Sequence, residues 1–230
     1  MFNGKMKALT FSYDDAVTQD IRFIELLDKY GMKGTFNLNS QRFGMEGSLR
    51  VGDVRVNHTK VDKADVREIY KNHEIAVHTL THPNLTTLTK DEVIYQVEQD
   101  RLNLSDIAGY EVIGMAYPCG GVNNNDEVAK IIKENTGVKY SRTITSSGSF
   151  DLQDNLYRFN PSVYHREWDD MFRMGEEFLN LTPDEPKIFY VWGHTYEFDG
   201  EDSWERMEEF LKMMAGKDDI FYGTNKEILL

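Results

Sequence analysis

Short apolar runs bounded by turn residues alternate along the chain with longer segments whose apolar positions recur every three or four residues. Leu9-Thr10-Phe11-Ser12-Tyr13 is β-prone and stops at two adjacent acids, Asp14 and Asp15. Gln19 to Tyr30 carries Ile21, Ile24 and Leu27 on one helical face and stops at Gly31. Thr35 to Leu38 predicts a second strand, 39 to 58 a loop without periodicity, Asp62 to Asn72 a short helix, and Glu74 to Val77 a third strand ending at His78-Thr79-Leu80-Thr81-His82-Pro83. Thr89-Lys90-Asp91-Glu92 is a capping box, and Val93, Val97, Leu104 and Ala108 carry its helix to Gly109. Val112 to Tyr117 predicts a strand running into Pro118-Cys119-Gly120-Gly121, and Asn125 to Asn135 a helix. Weaker strands are expected near Val138 to Tyr140 and Tyr157 to Phe159, then a helix over Trp168 to Leu181. Ile188 to Gly193 is an apolar strand ending at His194. A helix to Ala215, a strand Ile220 to Tyr222 and a last capping box, Thr224 to Glu227, complete the chain.

Strands alternating with helices imply parallel strands joined by crossover helices. With about seven strands, the expected fold is α/β, a distorted or incomplete parallel (β/α) barrel. No linker or repeat interrupts the 230 residues, so a single domain over 1–230 is the expectation. The formal charge of −13 argues against nucleic acid or an anionic membrane as the main partner. One cysteine, Cys119, rules out an intrachain disulfide and a cysteine metal cage. No apolar signal core precedes the first strand, so the expected location is cytoplasmic, or exported if a leader has been removed.

Chemistry-bearing residues fall where strands end. Asp14 and Asp15, His78 and His82, Pro118-Cys119-Gly120, and His194 each follow a different strand. In parallel barrels the active site is built from the segments leaving those ends. Alone, Asp15 is equally a helix cap, and a lone His-x3-His is more often structural than metal-binding. Together on one face, two histidines and a carboxylate form a set that leaves a position open for water, as a catalytic zinc-type site does. Asp15 is then the third ligand and Asp14 is free as a base. His194, opposite, suits a general acid. His58, His73 and His165 have no such placement. The Cys119 turn offers backbone N–H groups as donors.

These residues carry a resemblance to the polysaccharide deacetylase family (the NodB-homology domain, carbohydrate esterase family 4). Phe11-Ser12-Tyr13-Asp14-Asp15-Ala16 resembles its first motif, and His78-Thr79-Leu80-Thr81-His82 matches its second in full. Ala116-Tyr117-Pro118-Cys119-Gly120 matches its third in part, and Val191-Trp192-Gly193-His194 fits its last. The resemblance spans roughly residues 5 to 225. It implies metal-dependent removal of N-acetyl, or O-acetyl, groups from a carbohydrate, an acetylated amino sugar or glycan. One divalent ion, zinc or else cobalt, nickel or manganese, would be held by Asp15, His78 and His82. Asp14 would be the base and His194 the acid, with Cys119, Tyr117, Pro118 and Trp192 on the oxyanion and substrate side. Two readings stand beside it: hydrolysis of C–N bonds in small cyclic amides or imides on the same fold, and a carbohydrate-binding protein whose catalysis has decayed. The chain departs from the family pattern at four places. Ala16 stands for a glycine, and Cys119 for a tyrosine. Ala116 stands for the arginine that orients the base, which leaves Arg142 or Arg158 to supply the contact. The Asp-and-Trp support of the acid histidine has only Trp168 with Asp169 or Asp170 as a counterpart.

Overall fold

A computed structural model describes residues 2–230. In chain order the elements are β1 (Lys7–Asp14), α1 (Asp20–Lys29), β2 (Gly34–Leu38), β3 (Ser48–Val51), β4 (Val54–Asn57), α2 (Val66–Ile69), β5 (Glu74–Val77), α3 (Lys90–Ala108), β6 (Gly114–Ala116) and α4 (Asp126–Asn135). They continue with β7 (Tyr140–Arg142), β8 (Val163–Tyr164), α5 (Trp168–Asn180), β9 (Lys187–Gly193), α6 (Tyr196–Glu201), α7 (Trp204–Met214), β10 (Ile220–Tyr222) and α8 (Asn225–Leu229). The main sheet runs β7-β6-β5-β2-β1-β9-β8, parallel throughout. One edge of β1 is shared: Lys7–Leu9 pairs with β10 and Phe11–Asp14 with β2. The sheet curls into a half-barrel whose gap between β7 and β8 is bridged by one contact, Arg142 to Phe159. This is the incomplete (β/α) barrel that the alternation implied.

Alternation along β1 decides what points where. Leu9, Phe11 and Tyr13 join the apolar layer under the helices, against Phe23, Phe36, Phe198 and Phe210. Ala8, Thr10, Ser12 and Asp14 take the other face, inside the barrel. The interior is polar and hydrogen-bonded: Thr10 Oγ1 donates to Asn225 Oδ1 (3.0 Å), Asn225 Nδ2 to the Tyr190 hydroxyl (2.5 Å), and Asn37 Nδ2 to Ser12 Oγ (2.9 Å) and Asp14 Oδ1 (2.8 Å). Pairing of this kind is what makes buried polar groups tolerable. Asp14 is therefore the top of a rigid column, not a loop residue.

Several elements differ from expectation. The segment read as a loop, 39 to 58, contains an antiparallel hairpin, β3 with β4. Its turn is Gly52-Asp53, with Gly52 at φ +57°, between Leu49, Val51, Val54 and Val56. This is a two-residue hairpin signal. The helix expected over Asp62 to Asn72 is a single turn, Val66–Ile69, which buries Val66 and half-buries Ile69 against the core. Tyr157–Phe159 is no strand. Leu156–Arg158 forms a 3₁₀ turn and the chain pairs later, at Val163–Tyr164. The strand after α4 starts two residues late, which brings Arg142 to its end.

Asp20 opens α1 fully buried, its oxygens taking the Tyr70 hydroxyl (2.7 Å) and the Thr195 hydroxyl (2.6 Å). Burial outweighs both bonds and pushes its carboxyl up to about 7 from 3.8. The unfolded chain releases that proton near its ordinary value while the folded chain keeps it. The stability it contributes is therefore full below about pH 4 and lost as pH rises through about 7. Asp20→Asn removes this linkage. Urea midpoints measured between about pH 4 and about pH 8 should fall less steeply in the variant. Parallel slopes would contradict the assignment.

Candidate metal centre and active site

The segments leaving β1, β5, β6 and β9 meet around a cavity of about 320 Å³. Its floor holds Asp14, Asp15, His78 and His82. Tyr117, Cys119 and Gly120 form one side, and Ile144, Tyr164, Trp192, His194 and Tyr196 form the other. The turns that aim these groups adopt positive φ without glycine: Asp15 (+88°), Ala16 (+53°), Thr79 (+69°), His82 (+66°) and Cys119 (+70°). Such conformations cost roughly 1–3 kcal/mol each and persist only where packing over-determines them. The family's glycine position is thus left-handed in this chain although alanine occupies it.

Asp15, His78 and His82 offer one ligand atom each, all within 4.8 Å of one another. His82 Nε2 lies 3.6 Å and His78 Nε2 4.0 Å from Asp15 Oδ1. These separations are too long for hydrogen bonds. They suit donors sharing one ion at about 2.1 Å each. Three further features fit a cation. Asp15 Oδ1 is buried without a hydrogen-bond partner. His78 Nδ1 lies 2.9 Å from the Ala116 carbonyl, which can only accept, so Nδ1 carries the proton and Nε2 presents its lone pair. Burial holds both imidazoles below their ordinary pKa, His82 at about 4 with help from His78, so both are neutral ligands near pH 7. Burial opposes the charge on Asp15, but the hydrogen bond from His58 and the charges of Lys60 and His194 outweigh it and keep the carboxylate ionised.

Asp14, one residue earlier, has a different environment. The Arg142 guanidinium, fully buried, reaches both its oxygens at 2.5 Å. Asn37 adds a bond to Oδ1. Oδ2 faces His78 Nε2 at 3.8 Å and His194 Nε2 at 3.9 Å. Arg142 also stacks on Trp192, 4.6 Å from the ring centroid. Of the two arginines that stood to replace the one missing at Ala116, Arg142 makes the contact. Arg158 instead pairs with Asp126 and Asn124.

His194 is fixed from behind by Glu197, which sequence reading missed. Glu197 Oε2 accepts the His194 backbone N–H (3.1 Å) and lies 3.3 Å from Nδ1. Burial works against charging His194, but Glu197, Asp14 and Asp15 outweigh it and push its pKa up to about 9. The same pair holds Glu197 down at about 2 despite burial. Trp168 with Asp169 or Asp170 is not the support expected: Trp168 Nε1 donates to Glu201, while Asp169 and Asp170 are surface partners of Arg206 and Arg173. A His-x2-Glu spacing at the start of a helix was the signal available for Glu197.

Other expected residues fall less uniformly. Tyr117, Cys119 and Trp192 line the cavity. Pro118 does not; it is buried behind the loop, its carbonyl accepting from Asn123 Nδ2 (3.0 Å). The Cys119 thiol is half-buried, 3.7 Å from His82 Nδ1. His58 is part of the centre after all, with Nε2 3.2 Å from Asp15 Oδ2, and the buried Lys60 lies 3.6 Å from Oδ1. Both are carried in by the unexpected hairpin. His73 is structural, accepting from the Gly34 N–H.

Known proteins point the same way. The family model described as polysaccharide deacetylase matches residues 2–140. A deacetylase, PplD, from Streptococcus pyogenes, in complex with acetate, is 20% identical over 65% of this chain and 61% of its own, with a TM-score of 0.53. The present chain thus matches 61% of that protein's length. A family 4 carbohydrate esterase from Streptomyces lividans, also in complex with acetate, is 13% identical over 96% of this chain and 92% of its own, with a TM-score of 0.55. A family 4 pseudoenzyme from Bacillus anthracis is 19% identical over 100% and 67%, again at 0.55. At these identities the structures establish the shared fold alone. No curated protein sequence matches the chain. With its first two motifs inside the matched residues and its half-barrel shared with family 4 structures, the chain belongs to the polysaccharide deacetylase family.

Proposed function

We propose that the chain is a metal-dependent hydrolase that removes acetyl groups, N-acetyl in the first instance, from a carbohydrate. The observation that carries this reading is the difference between the two neighbouring acids: Asp15 Oδ1 is buried without a partner beside His78 and His82, whereas both Asp14 oxygens are taken by Arg142, with His78 and His194 near its Oδ2. Residues 1–230 act as one catalytic domain in this reading, since His194 and Arg142 lie far along the chain from the Asp pair. Residues 2–140 alone would not complete the site.

Asp15, His78 and His82 would hold one divalent ion, zinc being the natural choice for two imidazoles and a carboxylate and cobalt, nickel or manganese alternatives. Such an ion, when bound, supplies Lewis-acid polarisation of the acetyl carbonyl and makes nearby water more acidic. Arg142 and Asn37 hold Asp14 in one orientation, and Asp14 takes the proton of the attacking water. The Cys119 backbone N–H is the donor for the developing oxyanion, an interaction commonly worth about 3 kcal/mol. His194 delivers its Nε2 proton to the departing nitrogen, so that the amine leaves instead of re-forming the amide. Tyr164, Trp192 and Tyr196 provide the aromatic wall that a sugar face would pack on. Arg142 supplies the contact absent at position 116, which weighs against the decayed-protein reading.

Acetate release from acetylated sugar oligomers, measured with metal content on the same samples, tests the roles. Asp14→Asn should keep its metal and lose about 10²–10⁴-fold in kcat, the range for a general base. His78→Ala should lose the metal. Near-normal turnover by Asp14→Asn would overturn the assignment, and bound metal without acetate release would favour the small cyclic amides. Arg142→Met should likewise keep metal and lose kcat.

The pH profile follows from His194. Its acid form is populated below about 9, so activity should fall as pH rises through that value. Glu197→Gln removes the largest charge that sustains the shift, and the alkaline limb should move down towards the ordinary imidazole value of about 6.5. An unmoved limb would show that His194 is not the acid.

A further inference from the structure

Glu197 does not face His194 alone. On its far side His165, fully buried, brings Nε2 to 3.3 Å from the same oxygen, Oε2, that meets His194 Nδ1. Both contacts are long and off the line of a good hydrogen bond, as catalytic contacts often are before substrate binds. His165 Nδ1 lies 3.0 Å from the Tyr13 hydroxyl. Its ring is boxed by Phe198 (4.5 Å), Tyr164 (5.4 Å), Tyr13 (5.5 Å) and Trp168 (5.7 Å). A Cβ on Gly193 would sit 1.9 Å from His165 Nδ1, so the residue before His194 has no side chain and the imidazole fills its place. A phenyl or leucyl group would fill that box without needing partners. An imidazole bonded at Nδ1, with Nε2 buried and 3.3 Å from a carboxylate oxygen, does more than fill space.

We propose that His165 is a positioning residue, donating its Nε2 proton to Glu197 and so fixing and moderating the carboxylate that orients His194. The inference rests on His194 being the acid of the reaction. The polarity of the chain follows from its ends. Burial holds His165 neutral, so it carries one proton. Burial and Glu197 keep the Tyr13 hydroxyl protonated. A carboxylate can only accept, so Nε2 bears the hydrogen and Nδ1 accepts from Tyr13. The series is then Tyr13 O–H to His165, His165 N–H to Glu197, and His194 N–H to the same oxygen. Each donor a carboxylate accepts lowers its attraction for the next proton. His165 therefore makes His194 a stronger acid than Glu197 alone would leave it, while the other donors, the Tyr164 hydroxyl and Arg166 Nη1 (3.7 Å), secure Oε1. The remaining charged or titratable groups around His194 are Asp14, Asp15 and Tyr196, which none of the proposed substitutions touches.

The test is NMR titration of the His194 ring in the zinc-loaded protein, beside the kinetics of acetate release. In His165→Phe the His194 midpoint should rise by about half a pH unit. Its kcat should drop about tenfold at unchanged KM. His165→Gln, whose amide can donate to Glu197 and accept from Tyr13, should stay near the wild type in both. Should His165→Phe fail to fold, Tyr13→Phe, which deletes only the hydroxyl donor, should move His194 in the same direction. An unmoved His194 midpoint, or a His165→Gln protein indistinguishable from His165→Phe, would overturn the proposal. If the wild type releases no acetate, the functional reading fails while the titration still decides the role of His165.

Discussion

The site depends on an ion pair closed off from water: Arg142 at the end of β7 gripping Asp14 at the end of β1. Each partner is essentially unexposed, and burying either charge alone costs several kcal/mol. Arg142 Nη2 shared between both Asp14 oxygens, with Asn37 on one of them and Trp192 stacked on the cation, offsets that cost. The pair also ties the edge strand β7 to the interior strand β1, with β6, β5 and β2 between them. Removing either partner strands the other, so geometry and stability are coupled at this point.

That clamp gives the two adjacent acids separate chemistries. Asp14 belongs to the barrel interior and cannot swing. Asp15 lies past the strand, in a left-handed conformation that turns its carboxylate towards His78 and His82. Opposite them, His194 answers to Glu197, whose carboxylate is in turn shared with His165. The cavity is therefore framed by two carboxylate–imidazole sets of opposite character. Burial keeps the imidazoles on the Asp15 side neutral, and the Glu197 carboxylate keeps His194 charged.

Much of this was legible in the chain because it lay at strand ends. The strands of β1, β5 and β9 announce themselves by apolar runs, and the polar residues immediately after them fall on one face of any parallel sheet. The capping boxes at Thr89 and Thr224 form as read, each with reciprocal bonds. What could not be read depended on register or on distance. Arg142 sits at a strand end only because β7 starts at Tyr140 instead of Val138, a shift that periodicity in a three-residue strand does not resolve. The β3–β4 hairpin has an exposed face and alternates weakly, yet it delivers His58 and Lys60 to Asp15. Glu197 had only its His-x2-Glu spacing to mark it, and His165 nothing; they matter because tertiary packing puts one carboxylate between two imidazoles. Pro118 was drawn to the cavity by its neighbours, but its own side chain packs away from it.

The central claim is that Asp15, and not Asp14, holds a metal with His78 and His82. Anomalous diffraction from zinc-loaded crystals tests it most directly. The account predicts a single peak at about 2.1 Å from Asp15 Oδ1, His78 Nε2 and His82 Nε2, with Asp14 still clasped by Arg142 and outside the coordination sphere. A peak on Asp14, or none at the three ligand atoms, would contradict it.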